Sequence, residues 1–245
     1  IGPCVEWGYW ELARLACDRL DVEDLARCAD RALEIAAAFD DPALHVRALA
    51  DSGVALVSSG AVRLGLARLD EALACIAAGE VHDQVVLGTT FCALLTAAER
   101  IGDVERVEEW IATIREVLLD ATDGRPAVLR SHCSIALGGV LVHAGRWSEA
   151  EDLLQTSLAG GGPARATHRV DAVARLASLR LVQGKVDEAA ALVAPFEDHL
   201  AVAAPLSAVH LARGEPALAA AVARRSVGRL VGDALRAAPL LLVLV

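Results

Sequence analysis

The chain has 245 residues, of which 55% are hydrophobic but only 3% aromatic, and its formal net charge is −10. An apolar content made mostly of Ala, Leu and Val favours close helix packing over a sheet core, so we expect an all-helical fold. The acidic balance and the lack of a dense Lys/Arg block argue against direct nucleic-acid binding by this segment.

The six cysteines are scattered, with no Cys-x-x-Cys pair. This pattern favours small core residues in a reduced, cytoplasmic protein over a disulfide framework. The apolar run at residues 239–245 is far shorter than the roughly 20 residues that span a bilayer, so we expect no membrane crossing. Because the chain opens without Met and stops inside that run, both ends are expected to be fragment boundaries.

Turn residues recur along the chain at a nearly constant interval. They are Leu20, Gly60, Gly102, Gly145, Gly184 and Gly214, which are 40, 42, 43, 39 and 30 residues apart. A unit of this length with a helix on each side of the turn indicates stacked helical hairpins. The interval exceeds the usual tetratricopeptide period of about 34 residues, so we expect helices or loops extended by a turn.

In chain order, the predicted first hairpin begins at Glu6, and Asp21 is placed to cap its second helix. Asp41 and Pro42 then start the next helix, since Asp caps and Pro is tolerated in a first helical turn. A seventh unit would begin at Asp233. The six predicted hairpins pair residues 6–20 with 22–39, 42–59 with 61–78, 82–101 with 104–120, 126–144 with 147–158, 164–183 with 186–197, and 200–213 with 216–230.

The hairpin at residues 137–158 shows the repeat most clearly. Gly138 would let a neighbouring helix approach closely, and Gly145 ends the first helix. This spacing resembles a tetratricopeptide repeat at Gly138, Leu141, Gly145, Trp147, Ala150 and Leu154. Gly53, Leu56, Leu69, Ala72 and Leu73 match Gly138, Leu141, Leu154, Ser157 and Leu158, whereas Gly65 and Arg180 depart from the pattern at the positions of Ala150 and Leu141.

The motifs also resemble the repeat region of large actinobacterial LuxR-type transcriptional regulators over residues 20–245. The similar segments are Gly79-Glu80-Val81, Cys92, the run at residues 97–103, Arg106-Val107, Trp110, and the runs at residues 145–151 and 183–190. The resemblance implies a regulatory segment upstream of a helix-turn-helix domain, often preceded by an ATPase or cyclase-like domain. Neither of these neighbouring domains is in this chain. The resemblance therefore assigns ATP hydrolysis and promoter binding to no residue of this chain.

No motif predicts catalysis, a cofactor or a metal. The Gly-rich run at residues 159–163 lacks the Gly-Lys-Ser/Thr of a phosphate loop and is interpreted as a linker. His132 and Cys133 are adjacent and point about 100° apart on a helix, while His132 and His143 lie roughly 16 Å apart along its axis. We therefore expect neither an enzyme nor a metal site, and the paired acids are expected to be caps or solvated charges.

The sequence thus predicts one domain over residues 1–245, a right-handed superhelical solenoid of about six tetratricopeptide-like hairpins. Its function would be to bind a protein, a peptide or a small effector in a concave groove lined by the first helices, with a homodimer as one form of association. The alternative is a free-standing scaffold unconnected to transcription. The candidate groove residues are Arg47, Ser58, Thr89, Thr96, Glu99, Arg100, His132, His143, Asp171 and Ser178, for which simple solvation is the competing explanation.

Overall fold

The computed structural model describes residues 4–15, 22–110, 127–159 and 166–245. Within these ranges every regular element is a helix and no strand occurs, which confirms the all-helical prediction. The chain divides into two compact units, Ile1–Leu129 and Arg130–Val245. The single repeat domain and its solenoid arrangement stay predictions.

The described part of the first unit contains six helices. They are α1 (Val5–Leu15), α2 (Val22–Phe39), α3 (Pro42–Ser59), α4 (Val62–Ala77), α5 (Gln84–Ile101) and α6, described over residues 104–110. Helix α3 has the predicted bounds and the predicted cap, because Asp41 Oδ1 accepts the Leu44 N–H at 2.9 Å. Since α3 packs on both α1 and α5, the first helices of three hairpins lie side by side. The predicted cap Asp21 lies outside the described residues.

The described part of the second unit contains seven α-helices, the first of which begins just before the unit's boundary. They are α7 (Ala127–His143), α8 (Trp147–Ala159), α9 (Ala166–Val182), α10 (Val186–Val193), α11 (Ala203–Ala212), α12 (Pro216–Val227) and α13 (Ala234–Leu242). From α8 onward each helix packs on the next. The helix expected to reach residue 197 ends at Val193 and continues as the 3-10 turn Ala194–Phe196, because Pro195 has no N–H to donate and crowds the preceding turn.

The five predicted glycine turns share one backbone structure. Their φ angles are 95°, 69°, 74°, 76° and 74° at Gly60, Gly102, Gly145, Gly184 and Gly214. Each glycine N–H donates to the carbonyl three residues earlier at 3.0 to 3.3 Å. After the last four, the next N–H donates five residues back, as from Asp103 to Ala98 at 3.1 Å. In those four turns this is the Schellman arrangement that ends a helix, and all five glycines are left-handed, so the predicted turns are confirmed. Leu20 lies outside the described residues.

A glycine also brings the two helices of a hairpin together, as predicted for Gly138. A Cβ atom on Gly138 would lie 2.8 Å from Leu154 Cγ, and one on Gly53 would lie 2.6 Å from Leu69 Cγ. Leu69 and Leu154 are both fully buried. The α3–α4 and α7–α8 hairpins therefore share one packing contact at equivalent positions.

The expectation that the cysteines are core residues is correct only in part. Cys28 and Cys92 are buried, whereas Cys4, Cys75 and Cys133 are half-buried. Cys17 lies outside the described residues.

No helix within the described ranges combines the length and the apolar character that crossing a bilayer requires.

Candidate partner-binding site on the first helices

The structure places all ten predicted groove residues on first helices, in two separate groups. Six belong to the first unit, and the other four lie on α7 and α9 in the second unit; the side chain of His132 lies outside the described residues. His143 is exposed. The group of the first unit consists of Arg47 and Ser58 on α3 and Thr89, Thr96, Glu99 and Arg100 on α5.

The four hydroxyl groups in the predicted set bind their own helices. Ser58, Thr89, Thr96 and Ser178 each donate to the carbonyl four residues earlier, at 2.6, 2.8, 2.7 and 3.0 Å. Ser58 is also buried, with 5% of its surface exposed, whereas the other three are half-buried. Because each hydroxyl already donates its proton within its own helix, its oxygen is more available to accept a hydrogen bond from a partner than to donate one.

Arg47 is held by an acid one helical turn further along α3. Its Nε donates to Asp51 Oδ2 at 2.9 Å, and both side chains are half-buried. Burial raises the pKa of the Asp51 carboxyl, and the charge and hydrogen bond of Arg47 oppose that rise. The pair restrains the Arg47 guanidinium along α3.

Tyr9 on α1 is electrostatically coupled to Arg47, and sequence reasoning missed it. Burial raises the pKa of Tyr9, the charges of Asp41 and Asp83 raise it further, and the charge of Arg47 lowers it. Asp41 and Asp83 are the residues that cap α3 and α5, so Tyr9 is in electrostatic range of both caps and of Arg47. Tyr9 remains 41% exposed.

The position of Tyr9 in the repeat was the signal that could have found it. Tyr9 precedes Arg47 by 38 residues, and Thr89 follows Arg47 by 42, which are single steps of the repeat. The first hairpin has no turn glycine, so its alignment with the others was not visible. We call Tyr9, Arg47, Asp51 and Thr89, which lie on α1, α3 and α5, the first-helix row.

Arg180 explains one departure from the repeat pattern. It replaces the apolar residue of the earlier hairpin, yet only 7% of it is exposed. Its guanidinium donates to both carboxylate oxygens of Glu151 at 2.8 and 2.5 Å, to Gln183 Oε1 at 2.9 Å, and pairs with Glu188 at 2.8 Å. The hydrogen bonds to Glu151 raise the pKa of Arg180 and lower that of Glu151. This cluster joins α8, α9 and α10 and is structural, since its polar atoms satisfy one another.

A shallow depression of about 400 Å³ lies between α4 and α6. The polar side chains of its wall bind one another, because Asp70 accepts hydrogen bonds from Arg106 Nη1 at 2.9 Å and from Trp110 Nε1 at 3.0 Å. Arg106 also lies 5.6 Å from the centre of the Trp110 ring. These bonds from Asp70 tie α4 to α6. Its lining residues are Asp70, Leu73, Ala74, Ala77, Arg106, Glu109 and Trp110.

No group of three or more His, Cys, Asp or Glu side chains in the described ranges is arranged to hold a metal ion. No protein-family model matches the sequence, and no curated protein matches it. The resemblance to LuxR-type regulators therefore rests on the quoted motifs alone.

Proposed function

We propose that this chain is the non-enzymatic, protein-binding regulatory segment of a LuxR-type transcriptional regulator. Its hairpins would stack as a right-handed tetratricopeptide-like solenoid in the cytoplasm and bind a partner or effector on the first helices. The recurrence of the Schellman turn and of the Gly–Leu contact supports a repeat protein. Repeat proteins use such extended surfaces for binding more often than for catalysis.

The observation that carries the proposal is the packing of α3 between α1 and α5. The first-helix row on these helices includes Arg47, which Asp51 holds, and Tyr9, whose pKa the charge of Arg47 lowers. If a partner binds this row more tightly in one arrangement of the hairpins than in another, its binding raises the fraction of molecules in the arrangement that binds more tightly. Domains attached to the segment would sense that shift, which is the coupling that regulation requires.

The test uses full-length protein with Thr89→Arg or Arg47→Ala, each of which alters the first-helix row. The control is Arg63→Ala, which removes an exposed arginine from the second helix α4. We expect the two row variants to change the same set of transcripts as deletion of the gene, and the control to change none. Thermal unfolding of each variant checks that the fold is retained.

The outcomes separate regulation from scaffolding. If the row variants lose a bound partner while the transcripts stay unchanged, the chain is a scaffold unconnected to transcription. If they change neither the transcripts nor partner binding, the first-helix row is solvated surface and the proposal is wrong.

A further inference from the structure

The exposed side of helix α12 is basic. Residues 216–232, which comprise α12 and the turn after it, contain three arginines, all exposed, and no Asp or Glu. Leu218 on the same helix is 51% exposed. The buried side of the helix consists of Ala219, Ala223 and Ser226. We call the exposed side, formed by Leu218, Ala221, Arg224, Arg225 and Arg229, the arginine face of α12.

Two of these arginines meet at the dipeptide Glu197-Asp198, which follows the 3-10 turn after α10. Arg225 Nη2 donates to the carbonyl oxygen of Glu197 at 3.2 Å, and Arg229 Nη1 donates to the carbonyl oxygen of Asp198 at 3.3 Å. A carbonyl group has no net charge, so these bonds restrain the guanidiniums without neutralising them. Two positive charges are therefore held beside each other, and side chains restrained before binding lose less conformational entropy when a partner arrives.

The acids beside this face neutralise it only weakly. Asp198 Oδ1 lies 3.4 Å from Arg225 Nη1, which is longer than the about 2.7–2.9 Å of a strong charged hydrogen bond. The Asp198 side chain is 98% exposed, so solvent screens this pair. The Glu197 side chain is exposed as well. A carboxylate from a partner can therefore replace Asp198 at Arg225 with little loss of stability.

The surrounding chain has the same sign of charge. Residues 199–245 contain five arginines and two acids, a formal charge of +3, although the whole chain is at −10. Both acids have partners, since Glu215 lies 2.7 Å from His210 and Asp233 lies 3.7 Å from Arg236. Because exposed charges more than about 8 Å apart are largely screened at physiological ionic strength, a ligand of limited length responds to this local excess.

The composition of the face favours a protein over the other anionic ligands. It contains no aromatic ring on which the bases of a nucleic acid would stack. Its one large apolar residue, Leu218, is too little for insertion into a membrane. A guanidinium binds a carboxylate through two parallel hydrogen bonds, and arginine is enriched at protein interfaces.

We propose that the arginine face of α12 binds an acidic amphipathic segment of a partner protein. Asp and Glu side chains of the segment pair with Arg224, Arg225 and Arg229, and its apolar side covers Leu218. The face lies on a second helix of the second unit, so this inference goes beyond the proposed function and is independent of the first-helix row.

The test measures binding of two synthetic helical peptides to the whole protein by isothermal titration calorimetry. Both peptides have leucines on one side; one has glutamate on the other side, and its counterpart has lysine there. We expect the acidic peptide to bind at least about tenfold more tightly, and its affinity to fall as salt is raised. The variant with Arg224→Gln and Arg225→Gln should bind it at least about tenfold more weakly, whereas Arg225→Lys, which keeps the charge, should lose less.

Helix α4 offers matched controls for single substitutions. Arg63→Gln removes an exposed arginine there and should leave binding unchanged, whereas Arg224→Gln should weaken it. Leu64 is 54% exposed and, like Leu218, lies four residues after a turn glycine. Leu218→Ala should weaken binding about threefold or more, and Leu64→Ala should not. Circular dichroism of each variant reports the helix content.

Three results overturn the inference. They are equal binding of the acidic and basic peptides, equal weakening by Arg63→Gln and Arg224→Gln, and binding to anionic vesicles or self-association that the double arginine variant abolishes in place of peptide binding. Transcript changes caused by the first-helix row test the proposed function separately, because that row contains none of these residues.

Discussion

A Cβ atom on Gly65 would lie 2.5 Å from the carbonyl oxygen of Gly53. It would also lie 2.7 Å from the backbone nitrogen of Val57. Both neighbours are backbone atoms of α3, which cannot move aside without a shift of the helix. The glycine that departs from the alanine of the later hairpin is therefore a requirement of close packing. In this hairpin both helices have a glycine at the contact.

Gly65→Ala should destabilise the first unit by about 1–3 kcal/mol, the usual cost of overpacking a tight contact. The measurement is the midpoint of urea unfolding followed by circular dichroism. Gly228→Ala is the control, since nothing lies within 4 Å of its Cβ position and its φ is −63°. There alanine should be neutral or slightly stabilising because it restricts the unfolded chain. Equal midpoints for the two variants would contradict the packing contact.

Gly138→Ala and Leu154→Ala should partly compensate each other. The first substitution places a Cβ against the Leu154 side chain at 2.8 Å, and the second leaves a cavity at a fully buried site, which alone costs about 2–5 kcal/mol. In the double variant the added methyl occupies part of that cavity. The double-mutant cycle should therefore show a favourable coupling of about 0.5–3 kcal/mol in the free energy of unfolding.

A pair of positions in separate hydrophobic clusters is the control for that coupling. Leu154→Ala and Leu240→Ala lie in two clusters of the second unit that share no residue, and their effects should add. If the effects of Gly138→Ala and Leu154→Ala on the free energy of unfolding are additive as well, the added methyl group does not occupy the cavity left by Leu154.

Local signals predicted most of the fold. Asp41 and Pro42 start α3 at the expected residue, and the five glycines adopt the left-handed conformation that ends a helix. Both features depend on residues within one or two turns, which is the range over which sequence patterns act. The break at Pro195 was also visible in the sequence, but the expected helix was extended through it.

The candidate site was less predictable because it depends on contacts between helices. The charge of Arg47 acts on Tyr9 because α1 packs on α3. Arg180 can be buried because Glu151, which is 29 residues earlier on α8, accepts its hydrogen bonds. The repeat alignment marks Thr96 and Ser178 as candidate groove residues. It does not show that each hydroxyl binds its own helix.

Glu151→Gln should lower the stability of the second unit near neutral pH, and the difference should vanish in acid. The hydrogen bond from Arg180 lowers the pKa of Glu151 below its ordinary value of 4.5. The stabilisation that the ionised Glu151 provides is therefore fully present above pH 4.5. It is lost as the pH falls through the lower pKa that Glu151 has in the folded state. Urea midpoints at about pH 7 and about pH 3 measure it.

Glu149→Gln is the matched control for Glu151→Gln. Arg146 lowers the pKa of Glu149 as well, but both partners are about half exposed, so solvent screens the pair. Its midpoint should change much less. If the two variants lose equal stability, burial of the Arg180 guanidinium adds nothing to its bond with Glu151.

Asp51→Asn should show the opposite dependence on pH in the first unit. Burial raises the pKa of Asp51 above its ordinary value of 3.8, so ionisation opposes folding above the raised pKa, and that penalty disappears as the pH falls toward 3.8. The uncharged amide avoids the penalty and still accepts a hydrogen bond from Arg47. The variant should therefore unfold at higher urea than the unaltered protein near neutral pH, and at the same urea in acid. Asp30→Asn, which weakens an exposed pair with Arg68, should give no such gain. A loss of stability at neutral pH would mean that the charge pairing with Arg47 outweighs the cost of burying the Asp51 carboxylate.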